Sequence, residues 1–395
     1  MNKINKTKTK IILLNPPSRH GVAVVRDTLY GCWCKGRANY NWPPIALATL
    51  GAVLKEANFN VNLIDAMGLG QKFEDILKEV KKIKPKYIVI STATITFSSD
   101  IDFIKEIKKE LPDLKVVFVG THVTTMPNAT LKEKAVDYLV LGEPDFALRD
   151  ILLELDKGGK NLEKIKGVAF RKKAKIINTG LATPIQNLDL IPFPDRDLIP
   201  NAEYFNPLAK NLPYTTIISS RGCPALCTYC TSVILYGNRF RSRSPKNVVD
   251  AVEYCVKKYG IKEVFFRDET FTLNKLRAIN ICKELLKRKI NITWIVNSRV
   301  NSIDEETVKW MKKAGCHMIK FGVESGNQAV LNQMKKGITL NQTRIAFSLC
   351  KKYKISSVAH LMFGSPGETE KTLEDTIQFV LDIDPDFASF NITTP

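Results

Sequence analysis

Between residues 10 and 142 five apolar runs recur: KIILLN, NVNLID, KYIVIST, LKVVFVG and DYLVLG. Most are apolar at consecutive positions rather than at every second one. That pattern predicts strands buried on both faces, as in a parallel sheet. The intervening segments PIALATLGAVLKEAN, FEDILKEVKKI, DIDFIKEIKKEL and a short NATLKEKA carry apolar residues at helical spacing. A further helix, DFALRDILLELDK, follows the fifth strand. Strand and helix in alternation predict a doubly wound open parallel sheet of flavodoxin-like type. Ligands of such sheets lie beyond the carboxyl ends of the strands, at the switch point. The loops at those ends begin at Asn15, Ser91, Gly120 and Gly142.

A hairpin, GVAFRKKAKIIN, comes next, then a stretch holding Pro184, Pro192, Pro194 and Pro200. Proline at that density predicts an extended connection. A second alternating series follows. Its strands are TTIIS, EVFFRD, ITWIVNS, HMIKFGVE, SVAHLMFG and DFASFNIT, and helical patterns lie between them. Six such units predict a partial (β/α)6 barrel, whose functional residues belong at the carboxyl ends of the strands. The chain thus divides into 8–158, a hairpin and Pro-rich linker at 159–208, and a barrel at 209–395.

Composition changes this picture little. The 395 residues are 44% hydrophobic and 25% charged, as in a globular protein. The basic start, MNKINKTKTKIILLNPP, has too short an apolar run for a signal peptide or a membrane span. Nine cysteines without a regular framework point to a reducing compartment, so a cytoplasmic location is expected. The net charge of +19 suits an anionic substrate, a phosphate-bearing partner or an acidic membrane surface. Much of it is lysine spread over amphipathic helices, and no nucleic-acid-binding signature accompanies it, so no nucleic-acid partner is expected.

Candidate chemistry concentrates in SSRGCPALCTYC, where Cys223, Cys227 and Cys230 are spaced CxxxCxxC on the loop after a strand. A [4Fe–4S] cluster normally takes four cysteine thiolates, so three on one loop leave one iron open to a small molecule. Zinc sites instead pair one CxxC with another or with His, and no second CxxC exists here. With Tyr229 between the last two cysteines, the loop resembles the CxxxCxΦC signature of the radical S-adenosylmethionine (SAM) enzymes. The resemblance implies a [4Fe–4S] cluster on the three cysteines, with SAM on its open iron and an external one-electron reductant. It implies that Asp268 and Glu269, after the second barrel strand, meet the SAM amino group. Glu324 would meet the ribose and Arg299 the SAM carboxylate, with Tyr229, Asn297 and Gly364 completing the SAM site.

The first domain, with LLNPP, WPPIALATLGAVLKEANFNVNLIDA, VGTHVTTMP and VDYLVLGEPD, resembles the cobalamin-binding module that precedes many radical SAM domains, the class B methylases among them. The cobalt-ligating DxHxxG motif of other cobalamin modules is absent. None of His20, His122, His317 and His360 lies in such a motif. The resemblance implies that Gly120 and Gly142 let backbone approach a flat corrin and that Ser91, Thr92 and Thr94 hold its nucleotide tail. Asn15, His122 and Glu143 would line the same site. Cys32-Trp33-Cys34 offers too few thiols for the extra cluster of the methylthiotransferases. Cys255, Cys282, Cys316 and Cys350 are expected in the core.

The function expected is reductive cleavage of SAM and, with cobalamin, methylation of an unactivated carbon in a small molecule. An anionic one, such as a phosphorylated lipid precursor or a tetrapyrrole carboxylate, would suit the charge. The alternative is a cobalamin-independent radical SAM cyclisation, coupling or rearrangement. A cobalamin sensor or an iron–sulfur electron carrier fits less well, because the strand-end residues of a SAM site are present and a carrier would use four cysteines. Relatives of the resembled family usually continue beyond the sixth barrel strand, so the barrel domain is expected to be incomplete at residue 395.

Overall fold

A computed structural model of the chain describes residues 8–17, 24–26, 33–34 and 41–393. His20 and Cys32 lie outside the described residues. Of the CxC pair, only the backbone of Cys34 is described, in a two-residue strand Trp33–Cys34 paired antiparallel with Val24–Val25. The chain forms two compact units, the first built from residues 1–186, 190–207 and 234–237, the second from 187–189, 208–233 and 238–395.

The first unit is built on β1 (Lys10–Asn15), β2 (Asn60–Asp65), β3 (Tyr87–Ser91), β4 (Lys115–Val119) and β5 (Tyr138–Val140). Their helices are α1 (Ile45–Glu56), α2 (Phe73–Ile83), α3 (Phe97–Glu110) and α4 (Pro144–Asp156). Strand order is β2-β1-β3-β4-β5, with parallel pairing throughout. Alternate residues of each strand feed two cores. Ile12, Leu14, Ile88, Ile90 and Phe118 pack with Ile76, Val80 and Ile104 of α2 and α3. Leu13, Val89, Val117 and Val119 pack with Leu50 of α1 and Ile151 of α4. Helices therefore cover both faces, which is why the strands read as unbroken apolar runs.

The hairpin, expected as part of the connection, instead extends this sheet. Its strands β6 (Val168–Lys172) and β7 (Lys175–Asn178) pair antiparallel, β6 against β5. Its entry needs Gly167 (φ +90°), where a Cβ would lie 2.7 Å from that of Ala182.

The second unit holds six strands in sequence order, all parallel: β8 (Tyr214–Ile217), β9 (Glu263–Phe266), β10 (Thr293–Ser298), β11 (Cys316–Glu324), β12 (Ser356–Phe363) and β13 (Phe387–Ile392). Between them run α5 (Pro245–Tyr259), α6 (Lys275–Lys287), α7 (Glu305–Lys313), α8 (Gln328–Gln333), α9 (Leu340–Tyr353) and α10 (Glu370–Ile383). Side-chain caps explain where these helices start: Ser244, Asn274, Asp304, Asn327, Thr339 and Thr369 each accept a backbone N–H of the first turn. Cys255, Cys282, Cys316 and Cys350 are buried, as their apolar settings predicted.

At the amino-terminal end of this sheet Glu263 ties the elements together. Its carboxylate accepts from the backbone N–H groups of Lys210 (2.8 Å) and Asn211 (3.0 Å), from Thr293 Oγ1 (2.6 Å) and from His317 Nε2 (2.9 Å).

Candidate functional site

The cysteine loop leaves β8 at its carboxyl end. Before the loop Ser220–Arg221 pairs antiparallel with Arg241–Ser242, which brackets the excursion between them. Cys230 N donates to Cys227 O (3.2 Å), and Thr228 N donates to Met334 O beyond α8 (3.0 Å). Cys223 is buried, and Cys227 and Cys230 are partly exposed. Burial raises the Cys230 thiol above its ordinary value, and the nearby Cys227, Cys223 and Glu269 add to the rise. Among the described residues no group of three His, Cys, Asp or Glu side chains converges closely enough to hold a single metal ion.

Two cations border the loop. Arg299 Nη1 lies 3.6 Å from Cys227 Sγ, and its Nη2 donates to Lys336 O. Lys336 Nζ pairs with Glu324 Oε1 (2.6 Å) and donates to Tyr229 Oη (3.1 Å). Burial, then Glu324 and Cys227, raise the Tyr229 phenol well above its ordinary value, so it stays neutral. Arg299 and Glu324, with Lys336, therefore stand beside Tyr229 of the cysteine loop. Lys336, which joins Tyr229 to Glu324, was missed. It stands in MKKG, where nothing distinguishes it from a solvated lysine.

Glu269 reaches the loop from the end of β9. It accepts from Ser232 Oγ (2.9 Å), while its Oε2 is buried with no hydrogen-bond partner among the described residues. Burial raises its carboxyl to about 7, with Asp268 contributing in the same direction. An orphaned acceptor beside the cysteines fits a ligand that brings an N–H, as an amino group would.

Asp268 requires a correction. Its Oδ1 accepts from the backbone N–H groups of Ser219 (2.6 Å) and Ser220 (3.1 Å), and its Oδ2 from their hydroxyls (2.6 and 2.7 Å). Arg277, buried behind them, donates to Ser219 O and Oγ, both at 2.8 Å. Both oxygens of Asp268 are filled by its own chain, so it fixes the neck of the loop and has no acceptor left for SAM. Asn297 supports it from β10, with Nδ2 donating to Asp268 O (3.2 Å). Gly364 (φ +85°) makes the turn after β12.

In the first unit the expected residues do stand at strand carboxyl ends, but in different states. Asn15 Nδ2 donates to Asp65 Oδ1 (2.6 Å), which also receives Gly68 N (3.1 Å), and Tyr204 Oη donates to Asp65 Oδ2 (2.8 Å). The Asn15 Oδ1 is left buried without a partner among the described residues. His122 is 5% exposed and stacks on Phe97 with centroids 4.2 Å apart. Its Nδ1 lies 3.2 Å from Thr94 Oγ1, and its Nε2 is buried without a partner among the described residues. Burial lowers its basicity, so the ring is neutral at pH 7. Two orphaned polar atoms at the carboxyl ends of β1 and β4, the strands on either side of β3, fit a ligand rich in amides, as the corrin periphery is.

Two other expectations are corrected. The Thr92 hydroxyl donates to Asp100 Oδ2 (2.7 Å), a buried carboxylate that also receives Thr96 (2.9 Å) and pairs with Arg26 (2.8 Å). Thr92 is thus committed to an internal network and has no proton left to give a ligand. Gly142 (φ +82°) would place a Cβ 3.4 Å from Ala182 N and 3.6 Å from Leu181 Cβ. Its bare face is covered by its own chain, not left for a corrin. Ser91 is buried at the end of β3, Gly120 has φ +112°, and Glu143 accepts from Ile185 N at 3.4 Å.

Comparison with known proteins agrees with both halves. Residues 217–380 match the family model of the radical SAM superfamily, and residues 34–152 that of the B12 binding domain. The chain is 35% identical over 388 residues to an uncharacterized methyltransferase of Pyrococcus horikoshii, spanning 98% of this chain and 81% of that protein. It is 30% identical over 366 residues to the anaerobic magnesium-protoporphyrin IX monomethyl ester cyclase of Rubrivivax gelatinosus, spanning 90% of this chain and 65% of the cyclase. The fold is shared with the radical S-adenosylmethionine methyltransferase TsrM of Kitasatospora setae, at a TM-score of 0.77 and 20% identity over 98% of this chain and 72% of TsrM. The chain belongs to the B12-binding radical SAM proteins related to the class B radical SAM methyltransferases.

Proposed function

We propose that this radical SAM enzyme uses a [4Fe–4S] cluster, SAM and cobalamin to transfer a methyl group to an unactivated carbon of a small anionic molecule. When bound, the cluster and SAM supply one-electron chemistry and cobalamin supplies a transferable methyl group. Residues 209–395 hold the first pair and residues 8–158 the corrinoid, joined by 159–208. Cys223, Cys227 and Cys230 would hold the cluster. Glu269, with its unfilled oxygen, is the acceptor for the SAM amino group, and Arg299 meets the SAM carboxylate. Glu324, oriented by Lys336, meets the ribose. Asn15 and His122 would accept hydrogen bonds from the corrin amides.

The observation that carries this reading is the gathering of Arg299, Tyr229, Glu324 and Glu269 around a three-cysteine loop, in a chain that also has a B12-type domain. Methyl transfer is favoured because the Pyrococcus relative and TsrM are both methyltransferases by name, TsrM having cobalamin and a [4Fe–4S] cluster bound. An anionic substrate suits the field within the second unit. Burial, then Lys320, Arg267 and Lys336, hold the His360 imidazole well below its ordinary value. Cyclisation is the second reading, supported by the name of the Rubrivivax relative.

The test is anaerobic reconstitution followed by label transfer from methyl-labelled SAM. Corrinoid should copurify or bind, and label should reach a carbon of the product. Cys223→Ala, Cys227→Ala and Cys230→Ala should each lose the iron–sulfur absorbance and SAM cleavage. SAM cleavage without corrinoid binding under any condition would replace methylation by the cyclisation reading.

A further inference from the structure

The cofactor residues of the first unit stand at the carboxyl ends of its strands. The opposite end of the same sheet carries a separate cleft of about 570 Å³, a size in the range of small-molecule sites. Tyr87 opens β3, Lys115 opens β4 and Tyr138 opens β5, and all three line it. The loop after α4 supplies Gly159 and Lys160, and β6 supplies Phe170, Arg171 and Lys172. A five-residue strand is about 17 Å long, so the cleft is distinct from the corrinoid end.

Its charge is one-sided. Lys86, Lys115, Lys160, Arg171 and Lys172 line it, against a single lining acid, Glu163. Lysines at strand starts commonly offset the negative ends of the preceding helices, and two of these are accounted for locally. Lys86 pairs with Asp156 (2.6 Å), which also receives Tyr87 Oη (3.0 Å), and Lys172 pairs with Glu163. Arg171 has no acid partner among the described residues. Its guanidinium spends both terminal nitrogens on backbone carbonyls, Nη1 on Leu131 O (2.6 Å) and Glu133 O (3.3 Å) and Nη2 on Lys134 O (3.4 Å) and Val136 O (2.5 Å), which fixes the cation in place and leaves its charge, not its Nη–H groups, for a ligand. Lys115 and Lys160 are exposed. The floor is different: the Tyr138 and Phe170 rings sit 6.2 Å apart at 44°, beside Leu155 and Leu162.

A cationic rim over an aromatic and aliphatic floor suits a ligand with phosphates at one end and a flat apolar ring at the other. We infer that this cleft is a second ligand site of the B12-type domain, taking a nucleoside phosphate or a similarly built anion. Lys115 and Lys160 face the phosphates, the anchored Arg171 adds only its positive charge, and Tyr138 and Phe170 face the ring.

The test uses the full chain, with ATP and inorganic pyrophosphate as probes in titration calorimetry. ATP should bind at least fivefold more tightly than pyrophosphate, and both should weaken as salt rises. Lys115→Glu/Lys160→Glu should weaken ATP binding at least tenfold, while iron content after reconstitution and the thermal midpoint stay unchanged. These two lysines lie in neither cofactor site, so loss of methyl transfer in the wild-type protein would bear on the proposed function and not on this cleft. No ATP binding, or equal binding by wild type and the double variant, overturns the site. Equal affinity for ATP and pyrophosphate overturns the assignment of the ring.

Discussion

Asp268 separates two accounts of the same residue. Removing its carboxylate as Asp268→Ala leaves the backbone N–H groups of Ser219 and Ser220 buried without acceptors, and takes from Arg277 one of its two nearby negative charges, the other being Asp189. A hydrogen bond to a charged group is worth about 1.5–3 kcal/mol, and breaking a buried charge arrangement costs about 3–5 kcal/mol. The contributions overlap, so the expected loss is roughly 3–5 kcal/mol. Asp268→Asn is milder. Its amide oxygen keeps the two N–H donors, and its amide N–H groups can turn toward the two serine hydroxyls, so only the charge is lost, at about 1–2 kcal/mol. For a unit of this size, 1 kcal/mol moves the melting point by about 2–4 °C. The alanine variant should therefore melt about 6–20 °C below wild type, and the asparagine variant about 2–8 °C below it. Both are measured on protein without cluster or SAM. If Asp268 were instead a SAM ligand, neither substitution would change the melting of that protein. An Asp268→Ala midpoint within 1 °C of wild type, with weakened SAM binding after reconstitution, would refute the internal role.

Glu263 governs acid stability. Burial pushes its carboxyl up, but hydrogen bonds from His317 and Thr293 outweigh this and hold it below the ordinary value. Its contribution is present above the unfolded value of about 4.3 and is lost as pH falls through the lower folded value. Denaturant titrations between pH 5 and pH 3 should show a steeper loss in wild type than in Glu263→Gln, and parallel slopes would contradict the account. Lys336→Met leaves Glu324 charged and buried, so it should destabilise by about 3–5 kcal/mol. Adding Glu324→Gln should recover more than 1 kcal/mol, and strict additivity in the denaturation cycle would show that the pair is not coupled. Asn15→Ala should weaken corrinoid retention about tenfold, the equivalent of one hydrogen bond of about 1.4 kcal/mol, and leave iron content unchanged. Unaltered corrinoid affinity would remove Asn15 from that site.

The strands and helices of both units were legible in the chain because double burial writes itself as consecutive apolar residues, and one-sided helix burial as apolar residues at helical spacing. The cysteine loop was legible because three thiols within eight residues are constrained by covalent spacing alone. Strand-end position also found Glu324 and Arg299, since the barrel topology puts every such residue on one rim. What the sequence could not express was which polar atoms at those rims are already spent. Asp268 and Glu269 are neighbours in the chain with the same functional group. Only the fold filled the first with four donors from Ser219 and Ser220 and left one oxygen of the second without a partner among the described residues. Thr92 was likewise claimed by Asp100 and Gly142 by Ala182, while a lysine in MKKG was drawn in to join Tyr229 to Glu324. Hydrogen-bond satisfaction depends on partners scores of residues away, so local order determines where a polar group stands, and tertiary packing alone decides whether it remains available to a ligand.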